Sequence, residues 1–300
     1  MTACFVRVRI SIVTCRGGGS PRYCIYNEVV RCSFSLPEAD APYGARLIAS
    51  LVLISMASTA CGVRIDHGSI SLKDANRSVP TAPILLFNGT GVSPNDVVAV
   101  EAVLRNNQIN YSTAKSSQLN RMDRAKIRQY RLLIVPGGNF VEIGNGLSPG
   151  ATANIRKAVQ DGLNYLGICG GGFFAGKYSP PYNGLNLTSG VRFGFYAAEG
   201  RGIRKAAVSV GIAGAPTLDQ YWEDGPEFTG WGAVIGKYPD GTPAIVEGTF
   251  GSGWVVLSGV HPEAPASWRR GMTFSTPASV DKAYAGTLIR AALNRTPLSH

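Results

Sequence analysis

Two short segments carry residues whose types and spacing could do covalent chemistry. In the first, the apolar run Asn164-Tyr165-Leu166-Gly167-Ile168 leads into Cys169 and the cluster Gly170-Gly171-Gly172. An apolar strand ending in Gly-x-Cys-x-Gly predicts a sharp strand-to-helix turn, where small neighbours let a strained backbone hold out its reactive side chain. In the second, Val255-Val256-Leu257-Ser258-Gly259-Val260 leads into His261-Pro262-Glu263. A nucleophilic thiol must reach its thiolate form, which a neighbouring imidazole and the start of a helix, expected here over 170–177, both favour. His261 is the candidate base, and Glu263 could orient its ring and stabilise its charge. A developing oxyanion needs backbone donors: the N–H of Gly170 is one, and Gly138 or its neighbour Gly137, in the turn Pro136-Gly137-Gly138-Asn139, is the second.

The distribution of cysteines sets Cys169 apart. Cys4, Cys15, Cys24, Cys32 and Cys61 all lie at or before position 61, and Cys169 stands alone beyond them. The plain alternative is a free cysteine serving as a small apolar residue at a buried strand end. Cys169, His261 and Glu263 could also be read as metal ligands, but they lack a further histidine or a paired-cysteine spacing. The expectation is therefore no metal, and thiol chemistry of this kind requires no cofactor.

The elements that must position these groups begin well inside the chain. Leu47 to Ala60 is apolar, follows Arg46, is short for a membrane span and ends in small residues, which describes the hydrophobic region of a signal peptide. Ser58-Thr59-Ala60-Cys61 then resembles a bacterial lipobox, with Ser58 where an aliphatic residue is usual. That resemblance implies lipidation at Cys61, so residues 43–61 are expected to direct the protein out of the cytoplasm and onto a membrane. Plain secretion is the alternative. Residues 1–42 fit neither a signal peptide nor a domain, as an upstream mis-assigned start or a disordered leader would. The polar stretch 62–82 reads as a tether.

A single domain is expected over 83–296. Pro83 to Phe87 and Arg131 to Val135 are continuous apolar runs suited to strands buried on both faces of a parallel sheet. Ser93 or Asn95 can cap a helix carrying Val97, Val100, Val103 and Leu104, with a strand returning over 109–114 and a second helix over 148–161. Strands alternating with helices imply an α/β fold, a doubly wound, mostly parallel sheet with its site at the carboxyl ends of the strands. From about Arg192 the texture changes to short strand-like runs over 193–197, 206–210, 232–235, 244–246 and 254–257, an antiparallel β extension in the C-terminal half. A last helix over 281–293 closes the domain.

The chain carries 29 Lys and Arg against 19 Asp and Glu, a formal charge of +10. The basic residues are dispersed, as in Arg121, Arg124, Lys126, Arg128 and Arg131, with little aromatic interleaving. They describe a solvated surface, not a nucleic-acid-binding stripe.

Val135-Pro136-Gly137-Gly138, Gly167-Ile168-Cys169-Gly170-Gly171 and His261-Pro262-Glu263 resemble the class I glutamine amidotransferase-like superfamily, whose fold is flavodoxin-like. Within it, Tyr165 to Cys169, Tyr221 to Phe228 and Leu257 to Glu263 are most similar to the domain at the N-terminus of some eukaryotic biotin-protein ligases, also found as a stand-alone bacterial protein. The resemblance implies a Cys169–His261–Glu263 triad that hydrolyses an amide through a thioester. Gly170 and Gly172 stand where alanines are expected, and Glu223-Asp224 interrupt a turn that is usually more neutral. No biotin ligase catalytic domain follows before His300, so biotin ligation is not expected. Two functions are carried forward: an envelope-anchored cysteine hydrolase acting on a small-molecule or envelope amide, and a catalytically silent module that binds a small ligand in the same pocket. They differ in whether Cys169 reactivity depends on His261. Protein partners are unknown.

Overall fold

The computed structural model describes residues 82–180, 182–196 and 205–299. The expected leader, signal peptide, lipidation site Cys61 and nearly all of the tether lie outside the described residues.

In chain order the elements are β1 (Ile84–Phe87), α1 (Pro94–Asn106), β2 (Tyr111–Ala114), α2 (Ser116–Leu119), α3 (Arg124–Ile127), β3 (Leu132–Val135), α4 (Phe140–Asn145), α5 (Pro149–Gln160), β4 (Asn164–Ile168) and α6 (Gly170–Phe174). There follow β5 (Gly194–Phe195), β6 (Lys205–Ile212), β7 (Leu218–Glu223), β8 (Pro226–Glu227), β9 (Ala233–Lys237), β10 (Pro243–Phe250), β11 (Gly253–Ser258) and α7 (Ala278–Asn294). Nine strands form one sheet in the order β2-β1-β3-β4-β11-β10-β9-β6-β7, and β5 pairs with β8 separately.

The first five strands in that order are parallel, and every later pairing, from β11 with β10 to β6 with β7, is antiparallel. With β11 as its fifth strand the parallel half has the 2-1-3-4-5 order of flavodoxin-like sheets. The cause is visible in the side chains. Ile84 to Phe87, Leu132 to Val135 and Asn164 to Ile168 are buried at every position, as strands covered on both faces must be. In β6, by contrast, Val208, Val210 and Ile212 are buried and Ser209 and Gly211 are exposed, the alternation of a strand with one face in water.

The chain steps from β1 to β2 in one direction across the sheet and from β3 to β4 in the other. Right-handed crossovers therefore place α1 and α5 on opposite faces. Both helices start on Ser-Pro: Ser93 accepts from the N–H of Asp96, Ser148 from the N–H of Ala151, and a proline follows where no amide hydrogen is needed. Ser93, not Asn95, is the cap of α1. α7 packs against α1, β4 and β11. Its start is tied to the segment after β11 by the buried ion pair of Arg269 with Asp281, 3.2 Å apart.

Three features depart from the sequence reading. β7 was not expected, because Asp219, Gln220 and Glu223 obscure its pattern; it is held as a strand by pairing with β6. The helix after Cys169 ends at Phe174, not 177. The returning chain supplies the reason, since the N–H groups of Leu185, Leu187 and Asn186 take the carbonyls of Phe174, Ala175 and Gly176 that a longer helix would use. Of the expected strand over 193–197, Gly194 and Phe195 form β5, and residue 197 lies outside the described residues. Among the described residues no helix is long and apolar enough to cross a membrane.

Candidate functional site

Cys169 sits at the junction of β4 and α6 with φ +48° and ψ −107°, backbone angles that a side-chain-bearing residue adopts only under strain. The sheet holds it there: its N–H donates to the carbonyl of Ser258 at 2.7 Å, tying the end of β4 to the end of β11. The turn is too tight for side chains beyond the thiol. A Cβ on Gly170 would stand 2.2 Å from the carbonyl oxygen of Gly138, and one on Gly171 1.9 Å from that of Val135. The glycine at 170 where an alanine was expected follows from this contact of backbone on backbone.

His261 arrives directly after β11. Its N–H donates to the carbonyl of Tyr221 at 2.8 Å, joining it to β7. The rings of Tyr221 and Trp268 stand edge-on to the imidazole at 5.7 and 5.8 Å and 5.5 Å from each other, one aromatic cluster packed against the ring. Glu263 Oε1 lies 2.9 Å from Nδ1. Cys169 lies near enough to His261 to help raise its pKa, and the thiol donates to the carbonyl of Glu223 at 3.5 Å. The structure thus brings Cys169, His261 and Glu263 together in the order the sequence suggested.

It also brings in a group the sequence reading missed. Asp96, in the first turn of α1, places Oδ1 3.2 Å from the same Nδ1 and is buried. Gly137 makes room for it: a Cβ there would lie 2.1 Å from Asp96 Oδ1 and 2.7 Å from the His261 ring. The available signal was position. Asp96 follows the Ser93-Pro94 cap just beyond the carboxyl end of β1, where α/β sites gather, but an acid in a first turn also satisfies the helix dipole and drew no notice.

The two carboxylates divide the electrostatic work. Burial raises the pKa of Glu263 above the ordinary carboxylate range, because the attraction of His261 does not offset desolvation and the charge of Asp96 adds to the rise. For Asp96 burial acts in the same sense, but hydrogen bonding to His261, the charge of that ring and the Ser93 contact outweigh it and hold the pKa low. Burial opposes the charge on His261 as well, yet Cys169, Glu263 and Asp96 together hold its pKa well above the usual value. His261, its own pKa raised, thus faces two acids whose pKa values are displaced in opposite directions.

Among the described residues Asp96, His261 and Glu263 offer ligand atoms within 4.8 Å of one another and form the one set that could hold a metal ion, with Asp96 replacing the Cys169 of the sequence-based alternative. The 2.9 Å separation is that of a hydrogen bond between the ring nitrogen and Glu263, and Asp96 Oδ1, at 3.2 Å, stands at ion-pair distance from the same nitrogen.

Gly138 has φ +143° and is fixed against the loop after β1, where Ser93 N–H donates to Gly137 O at 3.0 Å and Asn139 N–H to Gly91 O at 2.8 Å. Gly138 lines the same cavity as Cys169, whereas the space beside Gly137 is filled by Asp96 and His261. Of the two glycines expected to offer the second donor, Gly138 is the one that borders the cavity. The cavity has a volume of about 660 Å³ and is lined both by Asp96, Cys169, Glu223 and His261 and by aromatic rings.

Fold and site define an α/β protein with a cysteine on a strained strand-to-helix turn, facing a histidine held by acids. A family model described as biotin-protein ligase, N terminal, matches residues 82–204. The match runs from β1 through the Cys169 turn, includes Asp96, and ends before His261 and Glu263. No curated protein matches the chain at significance. Among solved structures, a protein from Thermoplasma acidophilum described as a GMP synthase component is similar at 13% identity, over 71% of this chain and 96% of that one, with a TM-score of 0.47. A GH42 β-galactosidase is similar at 14% identity over 70% of this chain (TM-score 0.43), and an exo-β-1,4-mannosidase from Opitutaceae bacterium strain TAV5 at 11% over 71% (TM-score 0.44). The chain spans 30% and 36% of the length of these two glycosidases.

Proposed function

We propose that the chain is a cysteine hydrolase of the glutamine amidotransferase-like kind, acting on a carboxamide or related acyl group outside the cytoplasm. The observation that carries this reading is the imidazole of His261, fixed through Nδ1 by Glu263 and Asp96 and near a thiol on a strained turn at a cavity floor.

In the proposed reaction the Cys169 sulfur attacks the carbonyl carbon, and the carbonyl electron pair moves to oxygen, facing the amides of Gly170 and Gly138. The tetrahedral adduct collapses by breaking the C–N bond, and the departing amine or ammonia takes the proton of His261. A water molecule, deprotonated by the now neutral ring, attacks the thioester. The carboxylic acid leaves and the thiol regains its proton. Asp96 and Glu263 stabilise the charged ring and fix which nitrogen faces the sulfur.

The test is the rate of iodoacetamide labelling at Cys169, followed by intact mass at neutral pH, in wild type, His261→Ala and Asp96→Asn, beside an amide-hydrolysis screen. The reading expects labelling that slows at least about tenfold without His261, and ammonia or amine release that Cys169→Ala abolishes. Labelling indifferent to His261 and no turnover would leave a ligand-binding module on the same fold. Anchoring through Cys61 is a separate part of the proposal. It expects the full chain to incorporate a fatty acid label and partition into detergent in a bacterial host, and Cys61→Ser to do neither.

A further inference from the structure

The same cavity has a second side that the triad chemistry does not use. Phe140 and Phe173 stack with centroids 4.9 Å apart, Phe140 lies 5.0 Å from Tyr178, and Phe173 lies 4.6 Å from Phe195. These rings form a wall of the cavity, which Tyr182 also lines. The wall starts close to the sulfur, because Phe173 is four residues after Cys169 and its N–H donates to the Cys169 carbonyl, placing the ring about one helical turn from the nucleophile. It is also open. Among the described residues four large apolar side chains are exposed, and two of them, Tyr182 at 46% and Phe195 at 48%, stand at this mouth. Aromatic surface gathered in a concave site and left in water marks a place where an apolar ligand is bound.

Charge and size exclude a small amino-acid amide as the natural fit. The cavity of about 660 Å³ lies in the range of a drug-sized ligand, roughly 300–1,000 Å³, well above what a single amino acid fills. Of its charged lining groups Asp96, Glu223 and Asp224 are acids. Among the described lining residues the bases are His261 and Arg192, whose guanidinium lies over the Tyr178 ring. An α-carboxylate beside the sulfur would meet Asp96 and Glu223 as well as His261.

We infer that the site takes an amide or acyl compound whose carbonyl is joined to an aromatic or similarly flat apolar group, which lies against Phe173 and Phe195 while the carbonyl reaches Cys169. The covalent half of this inference rests on the hydrolase reading, and the binding half does not.

Two measurements separate them. Cys169→Ala protein is titrated with N-benzylacetamide, acetamide and glutamine by calorimetry. Wild-type Cys169 is labelled with N-benzyl-2-chloroacetamide and with 2-chloroacetamide, which share a reactive carbon and leaving group. The inference expects saturable binding of N-benzylacetamide alone, and a benzyl probe that reacts at least about tenfold faster than the plain one. Phe195→Ala should lower that ratio several-fold, and Val98→Ala, exposed on α1 away from the cavity, should not. A ratio near one with no N-benzylacetamide binding overturns the inference, even where labelling depends on His261 and the hydrolase reading stands. A high ratio and clear binding, with labelling indifferent to His261, supports the aromatic site and removes the hydrolase reading.

Discussion

The floor of the cavity is built from backbone, and its wall from side chains. At the floor, Gly137, Gly170 and Gly171 bring the ends of β3 and β4 so close that each would drive a Cβ to within about 2 Å of another atom. At the wall, Phe195 and Tyr182 are nearly half exposed and touch few constraints of the core. The floor fixes one geometry for sulfur, imidazole and oxyanion donors. The outer part of the wall, Tyr182 and Phe195, is exposed and lies outside the main sheet, so it can change its residues without disturbing that sheet. Chemistry and specificity are thus carried by parts of different tolerance.

Breaking the floor should give the largest effect. Gly171→Ala forces a Cβ 1.9 Å from the Val135 carbonyl and cannot be relieved by a side-chain rotation. We expect a loss of several kcal/mol, visible as a much lower urea midpoint or insoluble protein. An unchanged midpoint would show the floor to be more pliable than its contacts indicate.

Asp96→Asn tests the floor's charges without changing its shape. It should slow Cys169 labelling and any turnover by roughly tenfold or more while folding is retained, since the ring loses the acid whose pKa is held low beside it. Equal effects of Glu263→Gln and Asp96→Asn would mean that the two acids act alike, contrary to the opposite directions of their pKa values.

The pH dependence follows from His261. Its pKa is raised on folding, so its charge contributes stability that is fully present below about 6.5, the unfolded value, and is lost as pH rises through the higher folded value. The stability difference between wild type and His261→Gln should therefore be largest in mild acid and shrink in alkaline solution. Urea titrations at pH 6 and 9 check it, and a difference that grows with pH would reverse the assigned direction.

At the wall, Phe195→Ala should move stability by no more than about 0.5 kcal/mol, as expected of an exposed position. A large loss would make Phe195 part of the fold and erase the contrast with the floor.

Much of the parallel half was legible in the residues themselves. Ile84 to Phe87 and Leu132 to Val135 are apolar at every position, and Ser93-Pro94 and Ser148-Pro149 announce their helices, because burial on both faces and local capping act over a few neighbouring residues. Cys169, with its glycines, was legible for the same reason. β7 was not: Gln220 is fully buried in a strand whose sequence reads as polar, and only its pairing with β6 makes it a strand.

The sequence by itself determined which residues could react and in what order along the chain they appear. The tertiary structure decided their company. Asp96 meets His261 from far along the chain because the carboxyl ends of β1 and β11 open on the same edge of one sheet, and no local pattern encodes a contact that exists only when the sheet has closed.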